Sequence, residues 1–215
     1  MTDIDSSVIE FVRKGGIFIY PIVLCSVVAL SIFLQKMWVL RRGKILPENF
    51  LDLLYSHLSK RKYSDAINLS RMNGSSIARI ASSALEKVGA SKEDMKESIE
   101  ETGRREATEL GRYIEGLGAI SNVSTLLGLL GTISGMIKIF RVISEQTIVD
   151  PPSLAGGISE ALYTTALGLL VAIPAFIAYK YLNGRADEFI ADLEDEGKRI
   201  LDEINTTPVN KHEQL

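Results

Sequence analysis

The chain is poor in the residues that build metal and redox centres. Its 215 residues include one cysteine and two histidines, so no disulfide can form within the chain. Cys25 lies inside an apolar run, where a small packing residue is common. His57 and His212 have no neighbouring cysteine and no paired acidic side chains. We therefore expect no metal site and no cofactor.

Catalytic and nucleic-acid-binding patterns are missing as well. The 24 basic and 27 acidic residues give a net charge of −3, and no basic stripe with interleaved aromatic residues is present. The chain has no Gly-x-Ser-x-Gly nucleophile elbow. Gly128 and Gly131 lie in a glycine-rich run, but no lysine follows to make it a phosphate loop. We expect a protein that is not an enzyme and does not bind nucleic acid.

Apolar residues are abundant and are collected into long runs. Hydrophobic residues make up 46% of the chain, beside 24% charged residues. A helix that crosses a lipid bilayer needs about 20 predominantly apolar residues, and three stretches meet that requirement. Arg13 and Lys14 precede the first stretch, as in a signal peptide. However, the run is long for one and no small-residue cleavage site follows it, so we expect an uncleaved anchor.

The cations that flank the spans predict their orientation. Lysine and arginine are concentrated between the first two spans, whereas residues 144–153, between the second and third, contain neither. Cation-rich connections remain in the cytoplasm. The sequence thus predicts an all-α membrane protein with its N-terminus outside and three transmembrane helices extended by a cytoplasmic helical bundle. The predicted segments are a periplasmic N-terminal segment (1–16), transmembrane helix 1 (17–40), a cytoplasmic helical loop (41–116), transmembrane helix 2 (117–140), a periplasmic connector (141–157), transmembrane helix 3 (158–181) and a cytoplasmic C-terminal helix and tail (182–215).

The long loop carries signals for several helices. Asn73 and Gly74 predict a break between two of them. Ser91, with Asp94 three residues later, is typical of a capping box that opens a helix. No proline separates that helix from the second span, so it could continue into the span without a break. From Asn205 onward we expect disorder.

Small and hydroxylated residues recur at steps of three and four along the second and third spans. On a helix such residues share one side. In a membrane this side is typical either of close helix packing or of a water-accessible path. The candidate packing residues are Gly118, Ser121, Thr125, Gly128 and Gly135 in the second span, and Gly168 and Ala172 in the third.

The short connector predicts which polar residues share a depth. If the two spans fold back on each other, Thr132 lies level with Thr165, and Lys138 lies close to Glu160 as a possible ion pair. Glu160 is the only carboxylate in the three apolar spans. It either serves an ion path or a partner, or it is a helix-start carboxylate neutralised by Lys138. The threonines either hold the helices together or line a lumen, and their matching depth favours the lumen.

Two segments resemble the signature of a known family. The stretch LLGLLGTISGM, followed by GISEALYTTALGLLVAIPAFIAY, is similar to the MotA/TolQ/ExbB family of proton-channel subunits. The close resemblance covers roughly residues 120–179, and three spans with an outside N-terminus resemble the ExbB and TolQ branch. It implies a stator subunit of the bacterial inner membrane that couples proton motive force to the movement of a partner. ExbB-like, TolQ-like and gliding-motor roles remain open, as does the choice between protons and sodium ions.

The resemblance also implies partners and site residues. It implies a homopentamer in the lipid bilayer around two copies of a one-span subunit of the ExbD or TolR type, which brings the membrane aspartate. A transducer of the TonB or TolA type is a further candidate. Thr132 and Thr165 match pore-facing threonines, and Glu160 matches the carboxylate that opens the third span. Tyr163 and Thr164 depart from the usual small aliphatic residues, which leaves open whether Thr164 also faces the lumen. The alternative function is a membrane scaffold that recruits partners without conducting ions.

Overall fold

The described part of the protein is helical. The computed structural model describes residues 16–145 and 151–206, and within these ranges it contains no strand. Helical stretches long and apolar enough to cross a membrane lie within Ile19–Val39, Lys92–Glu145 and Leu154–Thr206. The predicted all-helical fold with three candidate spans is thereby confirmed for the described residues. The helices are α1 (Ile19–Val39), α2 (Arg42–Ile45), α3 (Glu48–Ser59), α4 (Tyr63–Met72), α5 (Ser76–Leu85), α6 (Lys92–Gly111), α7 (Ile114–Glu145) and α8 (Pro151–Thr206).

Some predicted segments fall partly outside the described residues. These are the N-terminal segment up to residue 15, residues 146–150 of the predicted connector, and the tail from residue 207. At the other edge of the connector, α8 already begins at Pro151. The expected disorder from Asn205 onward is wrong for its first two residues, because α8 continues to Thr206. The Asn205 amide donates to the carbonyl oxygen of Leu201, which supports this last turn.

The chain divides into two units. The first contains the residues up to Gln35 together with Tyr113–Tyr181, and the second contains Lys36–Arg112 and the chain from Leu182. In the first unit, large apolar side chains point outward: Leu24, Leu30 and Leu34 of α1 are each more than half exposed. Exposed leucines of this kind suit a lipid environment. In lipid the helix is the favoured backbone form, because it satisfies its own hydrogen-bonding groups.

The second unit is built like a water-soluble helical domain. Seven of the ten residues of α5 are buried, and Leu54, Leu58 and Ile200 are fully covered beside them. The Tyr55 hydroxyl donates a 2.8 Å hydrogen bond to Glu196 of α8. Burial and this hydrogen bond raise the pKa of Tyr55 above its usual range, so the phenol keeps its proton and remains a donor.

Local sequence signals set several helix ends in this unit. The Ser91 hydroxyl accepts from the Asp94 amide while the Asp94 carboxylate accepts from the Ser91 amide, which confirms the predicted capping box. The predicted break is also confirmed, because α4 ends at Met72 and Asn73 follows as its C-cap. Ser75 then caps α5 by accepting from the amide of Ala78.

The possibility of one helix from Ser91 into the second span is wrong. α6 ends at Gly111, Arg112 is extended, and Tyr113 has a left-handed backbone with φ of 66°. The last carbonyl groups of α6 have no partner within the helix and accept hydrogen bonds from a buried lysine. Lys36 Nζ donates to Glu109 O at 3.1 Å and to Leu110 O at 3.0 Å. A cation at a helix C-terminus is favourable because it faces the negative end of the helix dipole. Lys36 is distant in sequence, so no local pattern announces this cap.

An ion pair links α5 and α6. Arg79 Nε and Nη2 each donate to one carboxylate oxygen of Glu106 at 2.5 Å. The Glu106 side chain is 9% exposed, whereas that of Arg79 is half exposed. The hydrogen bond to Glu106 raises the pKa of Arg79 above its ordinary value, so the guanidinium stays charged. The geometry is a two-point carboxylate–guanidinium pair, which is among the stronger hydrogen-bonded arrangements.

Replacing Glu106 tests this link. Glu106→Gln keeps the shape but removes the charge, so we expect the free energy of unfolding of the second unit to fall by about 1–3 kcal/mol. Hydrogen exchange of the α5 and α6 amides in the detergent-solubilised chain measures the loss. Glu101→Gln is the matched control, because Glu101 and Arg105 also lie 2.5 Å apart but are both exposed. The control should cost less than about 0.5 kcal/mol, and equal losses in the two variants would contradict the assignment.

Candidate functional site

Within the first unit, α7 and the part of α8 up to Tyr181 pack along a line of small side chains, called here the small-residue seam. Its members recur at steps of three and four on both helices, and most of them are buried. The regular spacing places them on one side of each helix. The seam consists of Ser121, Ser124, Gly128, Gly131 and Gly135 on α7, and Gly157, Ala161, Thr164, Thr165, Gly168 and Ala172 on α8.

The two backbones touch at the seam. A Cβ atom on Gly168 would lie 2.7 Å from the carbonyl oxygen of Ser124 and 2.9 Å from Cα of Gly128. A Cβ atom on Gly135 would lie 2.9 Å from the carbonyl oxygen of Gly157. These distances leave no room for a side chain. Such close approach is how membrane helices gain van der Waals contact, since lipid provides no hydrophobic force between them.

Hydroxyl groups bond across the seam. Ser121 Oγ donates to the carbonyl oxygen of Ala172 at 2.9 Å. Thr165 Oγ1 lies 2.9 Å from the carbonyl oxygen of Gly128 and 3.1 Å from that of Ala161, so its single hydrogen has two acceptors. The buried Ser124 hydroxyl has no partner among the described residues. The seam therefore combines backbone contact with interhelical hydrogen bonds.

The structure separates the predicted packing stripe into two faces. Ser121, Gly128, Gly135, Gly168 and Ala172 lie in the seam, and Gly118 lies against the Tyr179 ring. Thr125 is exposed and donates to the Ser121 carbonyl of its own helix.

Sequence reasoning did not single out Ser124 and Gly131 as seam residues. Positions 121, 124, 128, 131 and 135 form one regular row, and that row is the signal that could have found them. The predicted stripe stepped instead from 121 to 125 and from 128 to 132. The predicted stripe therefore included Thr125 and Thr132, which lie on the neighbouring face of α7, in place of Ser124 and Gly131.

The three candidate threonines occupy different surroundings. Thr132 is partly exposed, and its hydroxyl donates to the Leu129 carbonyl of the same helix. Thr165 bonds across the seam to Gly128, one helical turn from Thr132. Thr164 is buried opposite Gly131, and its hydroxyl donates to the carbonyl of Glu160. Within this single chain, Thr132 is therefore the candidate whose side chain is turned away from the seam.

A charged pair joins α7 and α8 near Pro151. Lys138 Nζ lies 2.5 Å from Glu160 Oε1, with the two side chains 54% and 20% exposed. The Glu160 carboxylate also lies against the backbone of Gly16, where an added Cβ would overlap it. Lipid around such a pair weakens the screening that water provides, so the attraction exceeds that of a pair on a water-exposed surface.

The remaining chemistry of the site is limited to hydrogen bonding and charge. Among the described side chains, no group of three histidine, cysteine or acidic residues could hold a metal ion. Hydroxyl groups both donate and accept hydrogen bonds, so they can hold water without taking a permanent charge. The arrangement suits close helix packing with hydroxyl groups in the contact.

Comparison with known proteins agrees with this architecture. The profile of the MotA/TolQ/ExbB proton channel family matches residues 73–195, which is more than half of the chain. The chain belongs to this family. Family membership and the three apolar helices together make it a multi-pass membrane protein.

Individual relatives agree with the family assignment. An ExbB homolog of Methanothermobacter thermautotrophicus is 28% identical over 189 residues, covering 87% of this chain and 67% of the relative. The biopolymer transport protein ExbB of Aquifex aeolicus is 36% identical over 86 residues, 40% of this chain and 58% of the relative. The Tol-Pal system protein TolQ of Haemophilus influenzae is 34% identical over 102 residues, 47% and 43% respectively.

A glycine replacement tests the backbone contact at the seam. Gly168→Ala introduces a methyl group where the Ser124 carbonyl lies 2.7 Å away, so we expect overpacking to cost about 1–3 kcal/mol. Thermal unfolding of the detergent-solubilised protein measures the loss. Gly156→Ala on the same helix is the control, because nothing lies within 4 Å of its added Cβ. If Gly168→Ala were as stable as Gly156→Ala, the two backbones would not be in contact.

Charge reversal tests the pair at the ends of the two helices. We expect Lys138→Glu and Glu160→Lys each to lower stability and assembly, and the double variant to recover part of both. Coupling between groups in contact is typically about 0.5–3 kcal/mol. Arg141→Glu with Glu160→Lys is the control cycle, because no described residue forms an ion pair with Arg141. Losses that simply add in the Lys138 cycle, as they should in the control, would show that the two charges do not interact.

Proposed function

We propose that this chain is a channel subunit of an energy-transducing motor in the bacterial inner membrane, of the ExbB or TolQ type. It couples the entry of protons to the motion of a partner that drives transport, envelope or gliding functions. The observation that carries the proposal is Thr132, a part-exposed hydroxyl turned away from the small-residue seam within the second candidate span. Membership of a proton channel family supports a role in proton conduction for the chain.

The chain needs a second protein to accept the proton. Glu160 is the only carboxylate in the three apolar spans, and it is paired with Lys138 near the end of its span. We therefore assign the deep acceptor to a one-span partner of the ExbD or TolR type, present in two copies inside a homopentamer of this chain. Moving one charge across 100 mV provides about 2.3 kcal/mol, so several protons accompany each mechanical step. A transducer of the TonB or TolA type would carry the motion onward.

The candidate residues take different parts in this scheme. Thr132 borders the proton path directly. Thr165 borders it at the next turn while its hydroxyl holds α8 to Gly128 of α7. Glu160 attracts cations to the outer end, and Lys138 limits how strongly it holds them. Thr164, buried against Gly131, keeps the two helices in register.

The alternative is a membrane scaffold that recruits partners through its second unit without conducting ions. One observation favours it: the hydroxyls of Thr132, Thr164 and Thr165 each already bond a backbone carbonyl within the chain. Threonines satisfied in this way can act purely as packing residues. Proton conduction by the assembled complex separates the two functions.

Two valine variants make this separation. Valine has nearly the shape of threonine but no hydroxyl, so Thr132→Val should leave assembly intact and sharply lower proton uptake. Thr165→Val also loses the bond to Gly128, worth about 1 kcal/mol or less, so assembly should weaken together with uptake. Native mass spectrometry for pentamer yield and proton uptake by proteoliposomes are measured on the same preparations, purified with the one-span partner.

The control for these variants is Ser31→Ala. Ser31 is exposed on α1 and donates to the carbonyl of Val27 in its own helix, so it loses a comparable hydroxyl in another span. Both assembly and uptake should remain at the wild-type level in this control. Normal uptake in Thr132→Val would remove this residue from the mechanism, whereas a wild-type complex that takes up no protons would favour the scaffold.

A further inference from the structure

An amide on α7 has no hydrogen-bond partner among the residues that the structure describes. Asn122 lies inside the second apolar span, its side chain is exposed, and no described residue forms a hydrogen bond with it. A primary amide offers two donors and an acceptor. Leaving these groups against lipid hydrocarbon costs several kcal/mol. The amide must therefore meet water or another protein group in the assembled protein.

Asn122 lies on the same side of α7 as two hydroxyls. A helix turns by 100° per residue, so Asn122, Thr125 and Thr132 fall within a sector about 80° wide when viewed along the helix axis. The centre of this sector lies roughly 100° from the centre of the seam residues of α7. Thr125 is exposed and Thr132 is partly exposed. The three residues extend for about 15 Å along the helix, which is half of the hydrocarbon core. We call this face the polar face of α7.

The polar face leads to a charged group at the start of the helix. Glu115 is exposed on the same side, one to two turns before Asn122, and it accepts a 3.3 Å hydrogen bond from the Tyr179 hydroxyl. Its position precedes the apolar run, at the end that the flanking cations place in the cytoplasm. Polar groups thus occur from the middle of the span to its predicted cytoplasmic end, over about 25 Å.

We propose that Asn122 and Thr125 form the cytoplasmic half of the proton path that Thr132 borders, and that water molecules occupy this face. The inference rests on the proposed function, because it extends the same path. A proton that joins the first water of such a file releases another from the last, so the protein forms and breaks no covalent bond. Asn122 suits this role since its amide orders water by hydrogen bonds yet neither gains nor loses a proton.

Accessibility to a charged reagent tests whether water reaches this face. Cys25 is the only cysteine, so Cys25→Ser provides a background for Asn122→Cys and Thr125→Cys. Val123→Cys and Leu130→Cys are matched controls, because both side chains are exposed on α7 at neighbouring depth but lie about 80° or more round the helix from Asn122. A trimethylammonium methanethiosulfonate reagent is added to inverted membrane vesicles that contain the complex with its one-span partner.

Cysteines on the polar face should react with the reagent faster than cysteines at the control positions. Only the thiolate reacts, and it forms in water rather than in lipid, so positions 122 and 125 should react about tenfold faster or more than the controls. Rates equal to those of the control positions would overturn the proposal. A disulfide between two copies through Asn122→Cys, without labelling, would also overturn it by assigning this face to a subunit interface.

Proton uptake by the same complexes provides the second test. Asn122→Leu removes the hydrogen-bonding groups at similar size, and losing about one hydrogen bond to the path should slow uptake roughly tenfold. Asn122→Gln should largely retain uptake. Leu130→Ala is the control, because Leu130 is exposed on another side of α7, and it should conduct normally.

The two proposals fail in different ways. A wild-type complex that takes up no protons would overturn the proposed function together with this extension. Uptake that is lost in Thr132→Val but normal in Asn122→Leu would overturn the extension alone, even with fast labelling at position 122.

Discussion

Backbone contact between α7 and α8 is the constraint on which the rest of the first unit depends. Gly168 faces the Ser124 carbonyl at a distance that admits no Cβ atom. This contact brings the Thr165 hydroxyl to the Gly128 carbonyl and sets Lys138 beside Glu160. It also decides which side of α7 remains outside the pair. The candidate site residues are therefore placed by glycines that have no chemistry of their own.

The environment explains why the membrane helices are built this way. The hydrophobic effect does not drive two apolar helices together in lipid. Close packing of small residues and interhelical hydrogen bonds stabilise the association instead. Polar groups that the helix pair leaves outside, such as the Asn122 amide, then need water or another subunit. Close packing is consequently confined to one face of α7, which carries the buried Ser124, while Thr125 lies exposed on the adjacent face.

The second unit follows the rules of a water-soluble domain. Buried apolar side chains such as Leu54 and Ile77 form its interior, where water provides the driving force that lipid does not. Its polar contacts are specific: Arg79 with Glu106 between α5 and α6, and Lys36 on the last carbonyls of α6. Lys36 therefore fixes the C-terminal end of α6 within this unit.

The sequence alone determined the three apolar spans, the Ser91–Asp94 capping box, the break at Asn73 and the family, because each depends on composition or on residues close together in the chain. Only the tertiary structure decided that Ser124 and Gly131 lie in the seam while Thr125 and Thr132 lie beside it, and that Lys36 caps α6. Helical periodicity groups residues into faces, but it does not say which face meets a partner. Contacts between residues far apart in the chain make that choice, through the fit of side chains that no local pattern records.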